Sequence, residues 1–170
     1  MPLLLKDGQP ADDTWTTVDD DAKALPEGPV IVGLARWHRD RALLTARNTP
    51  LGIRLKSQEG AEEIAADLDR FTLVALEFPK YRDGRAFTTA RALREYHGYG
   101  GEIRAVGHTI PDQYLFLVRT GFTSVEVDDG ANLASWRQAL TEFSIAYQHD
   151  RTAAAPLSGL RRRLTSTMPS

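Results

Sequence analysis

Short runs of apolar residues alternate with amphipathic stretches along most of this chain. The apolar runs are four to six residues long, which suits strands covered on both faces. The stretches between them place apolar residues at helical spacing and carry capping residues or glycines at their ends. The predicted strands after residue 29 cover 30–34, 51–55, 73–78, 102–107 and 124–127. The predicted helices cover about 39–47, 61–68, 85–96 and 109–119, and a last one begins near Leu133.

This alternation predicts an α/β domain with a mainly parallel sheet, because a helix between two strands returns the chain to the same end of the sheet. The units are too few for a closed eightfold barrel, which takes about 250 residues. We therefore predict a single domain over residues 1–148, with an open sandwich or a half-barrel sheet. Residues 149–170 lose the apolar pattern and are predicted to form a mobile tail. Its Arg161-Arg162-Arg163 serves either solubility or contact with an anion or a partner.

The first eighteen residues predict a hairpin at the edge of this sheet. Leu3-Leu4-Leu5 is a short apolar strand, and Asp7-Gly8 is a dipeptide that accepts the positive φ of a tight turn. The predicted return strand is Trp15-Thr16-Thr17-Val18. An acidic run and a proline-rich run, 19–21 and 26–29, then separate the hairpin from the strand–helix units.

Composition narrows the range of functions. The chain has 170 residues, a net charge of −2 and no cysteine. It lacks the basic excess of nucleic-acid binders, so we expect no nucleic-acid partner. Without cysteine there is no disulfide, no thiol catalysis and no thiolate-held zinc or iron–sulfur cluster. No apolar run is long enough to cross a membrane and no secretory signal opens the sequence, so the expected compartment is the cytoplasm.

Ligands of parallel α/β sheets gather at the carboxyl ends of the strands, where helix N-termini direct free N–H groups outward. The densest cationic group follows the strand 73–78 and comprises Lys80, Arg82 and Arg85; we name residues 80–85 the cationic loop. Guanidinium groups match sulfate, phosphate or carboxylate, so these three residues are predicted to bind a small oxyanion. The alternative is a solvated loop in which Asp83 caps the next helix. Polar residues also follow the other strands: Arg36, Trp37, His38, Lys56, Ser57, His108, Thr109, Asp128 and Asp129.

Glu77 and Arg104 are charged residues inside otherwise apolar strands. If their strands are neighbours, the two can pair across the sheet, since a buried charge requires a partner. The pair either fixes the strand register or forms a catalytic carboxylate oriented by arginine, and both alternatives stay open. His108, directly after a strand, is the best of the four histidines for proton transfer. No metal-ligand spacing, phosphate-binding loop, dinucleotide fingerprint or nucleophile elbow is present, so we predict no metal site and assign no cofactor.

The central stretch resembles a bacterial family known as domain of unknown function 934. The resemblance rests on F-x-K-x-R-D-G-R from Phe78 to Arg85 and on G-E-I-R-A-V-G from Gly101 to Gly107. It extends from residue 1 to about residue 148. Further matching residues are Ala90-Arg91, Leu93-Arg94, Asp112-Gln113, Arg119, Gly121-Phe122, Trp15 and the opening MPLLLKDG.

Members of that family are often encoded beside assimilatory sulfite reductase and the reductase for adenylyl sulfates, and some are labelled oxidoreductases of sulfite reduction. The resemblance therefore implies an accessory role in sulfur assimilation, with the sulfite reductase haemoprotein as partner. Literal oxidoreductase chemistry fits poorly with a chain that has no cysteine and no nucleotide fingerprint. The family commonly has an aspartate after A-V-G, where this chain has His108, so the site is expected to be altered if that aspartate acts in the family.

Three functions follow from these observations. The first is an accessory protein of assimilatory sulfite reduction that acts through a protein partner. The second is a binder of, or an enzyme for, a small oxyanion or carboxylate at the cationic loop, with Glu77 or His108 in proton transfer. The third is a self-associating module, a homo-oligomer that presents Trp136 and Tyr147 on an exposed helix face.

Overall fold

The computed structural model describes residues 2–142, and their strands form one eight-stranded sheet. The strands are β1 (Leu3–Lys6), β2 (Gln9–Ala11), β3 (Thr16–Val18), β4 (Val30–Gly33), β5 (Leu51–Leu55), β6 (Leu73–Phe78), β7 (Glu102–Gly107) and β8 (Ser124–Val127). Their spatial order is β2-β1-β8-β7-β6-β5-β4-β3. Strands β3 to β8 are parallel and lie side by side in chain order, while β1 runs antiparallel to β2 and β8. The mainly parallel α/β sheet predicted from the alternating pattern is confirmed.

Helices connect the parallel strands from β4 to β8, whereas residues 19–29 join β3 to β4 without a helix. The α-helices are α1 (Leu34–Arg39), α2 (Arg41–Thr45), α3 (Arg85–Glu95), α4 (Tyr114–Thr120) and α5, which spans 133–142 within the described residues. Short 3-10 helices cover Ala61–Glu63, Ala65–Arg70 and Pro111–Gln113. Helix α1 begins directly after β4, earlier than the predicted start at 39, because Leu34 and Trp37 are both buried against the sheet. None of the helices between residues 2 and 142 has the length and apolar content that crossing a bilayer requires.

The N-terminal hairpin lies at an edge of the sheet, as predicted, but its return strand is a different one. Strand β1 pairs with β2 through Asp7-Gly8, whose φ angles of 51° and 76° are both positive, as a two-residue type I′ turn requires. Such a turn pairs the residues that flank it, so Lys6 lies opposite Gln9 and the return strand begins there. The predicted return strand is wrong: Thr16–Val18 forms β3 and pairs with β4 at the opposite edge.

The sheet is curled into a half-barrel, and the length of chain between its edge strands explains why. Strands β2 and β3 lie at opposite edges, a separation of about 34 Å if the sheet were flat. They are joined by residues 12–15, which we name the strap. The five peptide steps from residue 11 to residue 16 span at most about 18 Å. The sheet must therefore curl until its edges approach each other, and the strap crosses its open side.

Alternation along the strands divides their side chains between an outer and an inner face. The outer face lies under the helices and is apolar, with Val32, Ile53, Val74 and Ile103 fully buried in the main core. On the inner face, Trp15 of the strap packs against a smaller apolar cluster. Its members are Ile31, Leu73, Ala75 and Val106. Most other inner-face positions are polar or charged, so the side chains available for function are concentrated there.

Helix α5 covers its aromatic face instead of exposing it. Trp136 is only 3% exposed and belongs to the main core. Its ring meets that of Tyr114 edge to face, with centroids 5.2 Å apart, and the Tyr114 hydroxyl accepts a hydrogen bond from the backbone N–H of Gly8 at 2.7 Å. The prediction that Trp136 is presented for self-association is therefore wrong, because α4 and the first hairpin occupy that face. Tyr147 and the predicted tail lie outside the described residues.

Candidate functional site

Three strands place a charged residue one position before their carboxyl ends. These residues are Arg54 on β5, Glu77 on β6 and Glu126 on β8. The apolar residues that flank them are buried on the outer face, so the alternation of a strand directs all three charged side chains to the inner face. Because the strands are parallel, these positions meet at one end of the half-barrel, which we name the mouth.

Arg54 is held in place by Glu77. Its Nε donates a hydrogen bond to Oε2 of Glu77 at 3.2 Å, and both side chains are partly exposed. The Nη1 and Nη2 atoms of Arg54 make no hydrogen bond to any residue in the range 2–142. The same side chain lines two clefts, of about 310 Å³ and about 230 Å³. Arg54 thus presents the free fork of its guanidinium to open space at the mouth.

Glu126 lines the smaller of these clefts together with Arg54. Strands β5 and β8 are separated by two other strands, about 14 Å in a flat sheet, so the curl is what brings the two side chains to one cleft. Burial raises the pKa of Glu126 above its ordinary value, although the charges of Arg104 and Arg54 lower it. Asp13 adds to the rise. A carboxyl group in this state exchanges its proton closer to neutral pH than an ordinary glutamate does.

Arg104 lies deeper in the half-barrel and is 1% exposed. Its Nε and Nη2 donate to Oε1 of Glu102 at 3.2 and 3.1 Å, and its Nη1 donates to Oδ2 of Asp13 in the strap at 3.0 Å. Glu102 also accepts from Ser124 at 2.6 Å and from Lys6 at 3.2 Å. Burial alone would raise the pKa of Glu102, but these hydrogen bonds and positive charges hold it below its ordinary value. Arg104 therefore ties the strap to the sheet.

The predicted pairing of Glu77 with Arg104 does not form. Strands β6 and β7 are neighbours and both side chains lie on the inner face, but Glu77 is level with Val106 and Arg104 is level with Ala75. The two charges are thus offset along the strand direction. Glu77 bonds to Arg54 on the other side, and Arg104 bonds to the two carboxylates described above. Of the predicted catalytic residues, Glu77 reaches the mouth and Arg104 lies beneath it.

Within the cationic loop, Arg85 is neutralised by Asp83. The Asp83 carboxylate accepts from the backbone N–H, the Nε and the Nη2 of Arg85 at 3.1, 3.0 and 2.6 Å. Hydrogen bonds from Arg85 lower the pKa of Asp83 to about 2. The Nη2 of Arg85 also donates to the hydroxyl of Ser57 at 2.9 Å. Asp83 thus satisfies a free N–H at the start of α3, as the capping alternative predicted.

Lys80 and Arg82 of the same loop are exposed. The Nε of Arg82 donates to the Tyr81 hydroxyl at 2.8 Å, and its guanidinium lies over the Tyr81 ring at 5.3 Å from the centroid. The loop therefore presents one aromatic ring and two cations to solvent.

Three other strand-end candidates differ in burial: His108 is exposed, whereas Arg36 and Trp37 are buried. The backbone N–H of His108 donates to the carbonyl of Phe78 at 2.7 Å. Arg36 and Trp37 are buried in α1, where Arg36 donates to the carbonyl of Asp19 at 2.7 Å and Trp37 donates to Asp67 at 3.2 Å. These two are structural residues, because α1 begins at Leu34 and already includes both of them among its buried positions.

Sequence reasoning missed Arg54 and Glu126. Both carry the signal that identified Glu77 and Arg104, a charge between apolar strand residues, in Ile53-Arg54-Leu55 and Val125-Glu126-Val127. Across residues 2–142, no three histidine, aspartate or glutamate side chains converge where a metal ion could be held.

Comparison with known proteins identifies the family. Residues 52–158 match the model of a family described as bacterial protein of unknown function, DUF934. The matched range is more than half of the chain and contains β6 to β8 and all of β5 except its first residue, so it includes the charged residues of the mouth. No curated protein and no solved structure matches the chain. This protein therefore belongs to the DUF934 family of bacterial proteins.

Proposed function

We propose that this protein binds a small oxyanion or carboxylate at the mouth of its half-barrel, with Arg54 as the anion-binding residue. The observation that carries the proposal is the Arg54 guanidinium, which is fixed at Nε by Glu77 and open at both terminal nitrogens within the described residues. A guanidinium held in this way is oriented for bidentate recognition of a carboxylate or an oxyanion. Glu77 is then a positioning residue for Arg54.

The charges around Arg54 limit the size of the ligand. The larger cleft includes Asp19, Asp20 and Glu59 as well as Lys56, and the smaller one includes Asp128. These carboxylates repel a large polyanion more strongly than a small ion that fits the Arg54 fork. The mouth is therefore suited to sulfite, sulfate, phosphate or a short carboxylic acid.

A thermal-melt panel tests this proposal against the alternative location at the cationic loop. Wild type, Arg54→Gln and Arg82→Ala are melted with sulfate, sulfite, phosphate and adenylyl sulfate. A ligand at a hundred times its dissociation constant adds about 2.7 kcal/mol of stability. We expect a ligand-dependent rise in Tm that persists in Arg82→Ala and is lost in Arg54→Gln.

Arg91→Ala is the matched control, since Arg91 is an exposed arginine of α3 that pairs only loosely with Glu95 at 3.9 Å. If the ligand-dependent rise in Tm is lost in Arg82→Ala and kept in Arg54→Gln, the anion binds at the cationic loop and not at the mouth. No rise with any of these anions would remove the small-anion proposal.

We also propose an accessory role in assimilatory sulfite reduction, in the cytoplasm, with the sulfite reductase haemoprotein as partner. Membership of the family supports it, together with the sulfur-assimilation setting that the resemblance implies. The cationic loop offers a contact surface, since Tyr81 is 43% exposed beside Arg82, and tyrosine and arginine are enriched among residues that dominate protein interfaces.

Retention of purified sulfite reductase haemoprotein on the immobilised full chain tests this role. We expect wild type and Arg91→Ala to retain it and the double variant Tyr81→Ala, Arg82→Ala to retain much less. Equal retention by all three would locate the contact elsewhere. No retention by wild type would argue against a direct partnership.

A further inference from the structure

Glu126 lies in the mouth, and its carboxyl group has no hydrogen-bond partner among residues 2–142. It is half-buried on the inner face of β8. The charged groups that face it come from three other elements: Arg104 on β7, Arg54 on β5 and Asp13 in the strap. Asp128, after β8, lines the same cleft.

Neither arginine neutralises Glu126 by direct contact. The Nε, Nη1 and Nη2 of Arg104 all donate to other carboxylates, and the Nε of Arg54 donates to Glu77. An anion bound in the Arg54 fork would bring a second negative charge into the cleft that Glu126 lines. Two adjacent carboxylates do not both stay ionised at low cost, and one of them takes up a proton.

We propose, on the basis of the anion site at Arg54, that the mouth takes up its ligand together with one proton, with Glu126 protonated in the complex and donating its O–H to the ligand. The proton comes from solvent and converts the Glu126 carboxylate into a carboxylic acid. No bond of the ligand is broken. The ligand class is an inorganic oxyanion or a short carboxylate that places one oxygen against Glu126 and the others in the Arg54 fork.

Burial of Glu126 favours this arrangement before any ligand arrives, because it already raises the pKa of the group. Above that pKa, each further pH unit lowers the affinity about tenfold while the complex holds the proton. A glutamate with a purely structural role would not make the ligand affinity depend on pH in this way.

Titration calorimetry of the full chain with sodium sulfate and with sodium acetate tests the proposal. Each titration is run at about pH 7 in two buffers of different ionisation enthalpy, which reports the protons taken up per ligand. Sulfate is a much weaker base than a carboxylate, so with this probe the proton must enter the protein. We expect wild type to take up close to one proton per ligand.

The conservative variant Glu126→Gln mimics the protonated acid, because its amide also donates a hydrogen bond. It is expected to bind both probes without proton uptake and with an affinity that does not change with pH. Glu95→Gln, at an exposed position of α3, is the matched control and should retain the uptake.

The remaining outcomes separate this inference from the anion site itself. Binding to wild type without proton uptake overturns the inference and leaves the anion site intact. Uptake that persists in Glu126→Gln also overturns it, because another group then carries the proton. If wild-type protein has a normal melting transition, and is therefore folded, but binds neither probe, both the proposed anion site and this inference are wrong.

Discussion

Arg104 and Arg54 are both arginines on the inner face of the sheet, two strands apart. Arg104 lies in the middle of β7, where three of its nitrogens are bonded to carboxylates and it is closed to solvent. Arg54 lies one residue from the carboxyl end of β5, where two of its nitrogens have no hydrogen bond to residues 2–142. The position along the strand thus separates a structural charge from one that can receive a ligand.

Replacing Arg104 by methionine is expected to lower the free energy of unfolding by about 3 kcal/mol, because the partly buried carboxylate of Glu102 loses two hydrogen bonds and its main counter-charge. Urea denaturation measures the change. Arg91→Met on the exposed side of α3 should stay within about 0.5 kcal/mol of wild type. A loss of less than about 1 kcal/mol in Arg104→Met would contradict the role given to Arg104 in holding strap and sheet together.

Among the elements, β6 and β7 are in tight contact at the carboxyl end of β7. Gly107, its last residue, has a φ of 91°, and a Cβ there would lie 2.5 Å from the carbonyl oxygen of Phe78. The backbone N–H of His108 donates to that same oxygen at 2.7 Å. The loop that begins with His108 can leave the sheet beside the mouth only because residue 107 has no side chain.

The substitution Gly107→Ala is therefore expected to destabilise the protein by about 2–3 kcal/mol, from the positive φ and the collision with backbone together. Gly100→Ala is the matched control, because a Cβ at Gly100 meets nothing within 4 Å and its φ is not positive. Thermal and urea unfolding of the two variants give the comparison. Equal stabilities would mean that β6 and β7 move apart without cost.

For the whole molecule, the strap determines how far the sheet curls. Trp15 fills the inner face between the strands, and a Cβ at Gly52 would lie 3.3 Å from Cζ3 of its ring. Asp13 binds Arg104 from the same short segment. The four residues of the strap thus limit how far the two edges of the sheet can separate, and they also supply the apolar contact that holds the half-barrel closed.

Trp15→Ala should lower the free energy of unfolding by about 2–4 kcal/mol, because it removes the contacts with the inner apolar cluster and leaves a void behind the strap. Tyr96→Ala is a suitable control, since that ring is 81% exposed. Urea denaturation reports the stability, and near-ultraviolet circular dichroism reports the packing around the remaining aromatic residues. If the two variants are equally stable, Trp15 does not hold the half-barrel closed.

Local patterns were sufficient to predict strands β5 to β8 and the alternation of strands with helices. Strands β5 to β8 occupy the residues predicted for them, because their apolar residues must be buried at least on the outer face, under the helices. The same patterns were sufficient for the parallel sheet, since strand–helix alternation permits few other connections. They also identified Glu77 as unusual, because a charged side chain in a mostly apolar strand requires a partner.

The return strand, the charge pairs and the mouth could not be predicted from local patterns, because they depend on long-range geometry. The two-residue turn makes the return strand begin at Gln9 and not at Trp15. The register of β6 and β7 places Glu77 and Arg104 at different levels along the strands. Arg54 and Glu126 reach one cleft only because the strap forces the sheet to curl. Alternation along a strand specifies which face a side chain occupies, but the curvature that brings distant strands together depends on how the two edges of the sheet are connected.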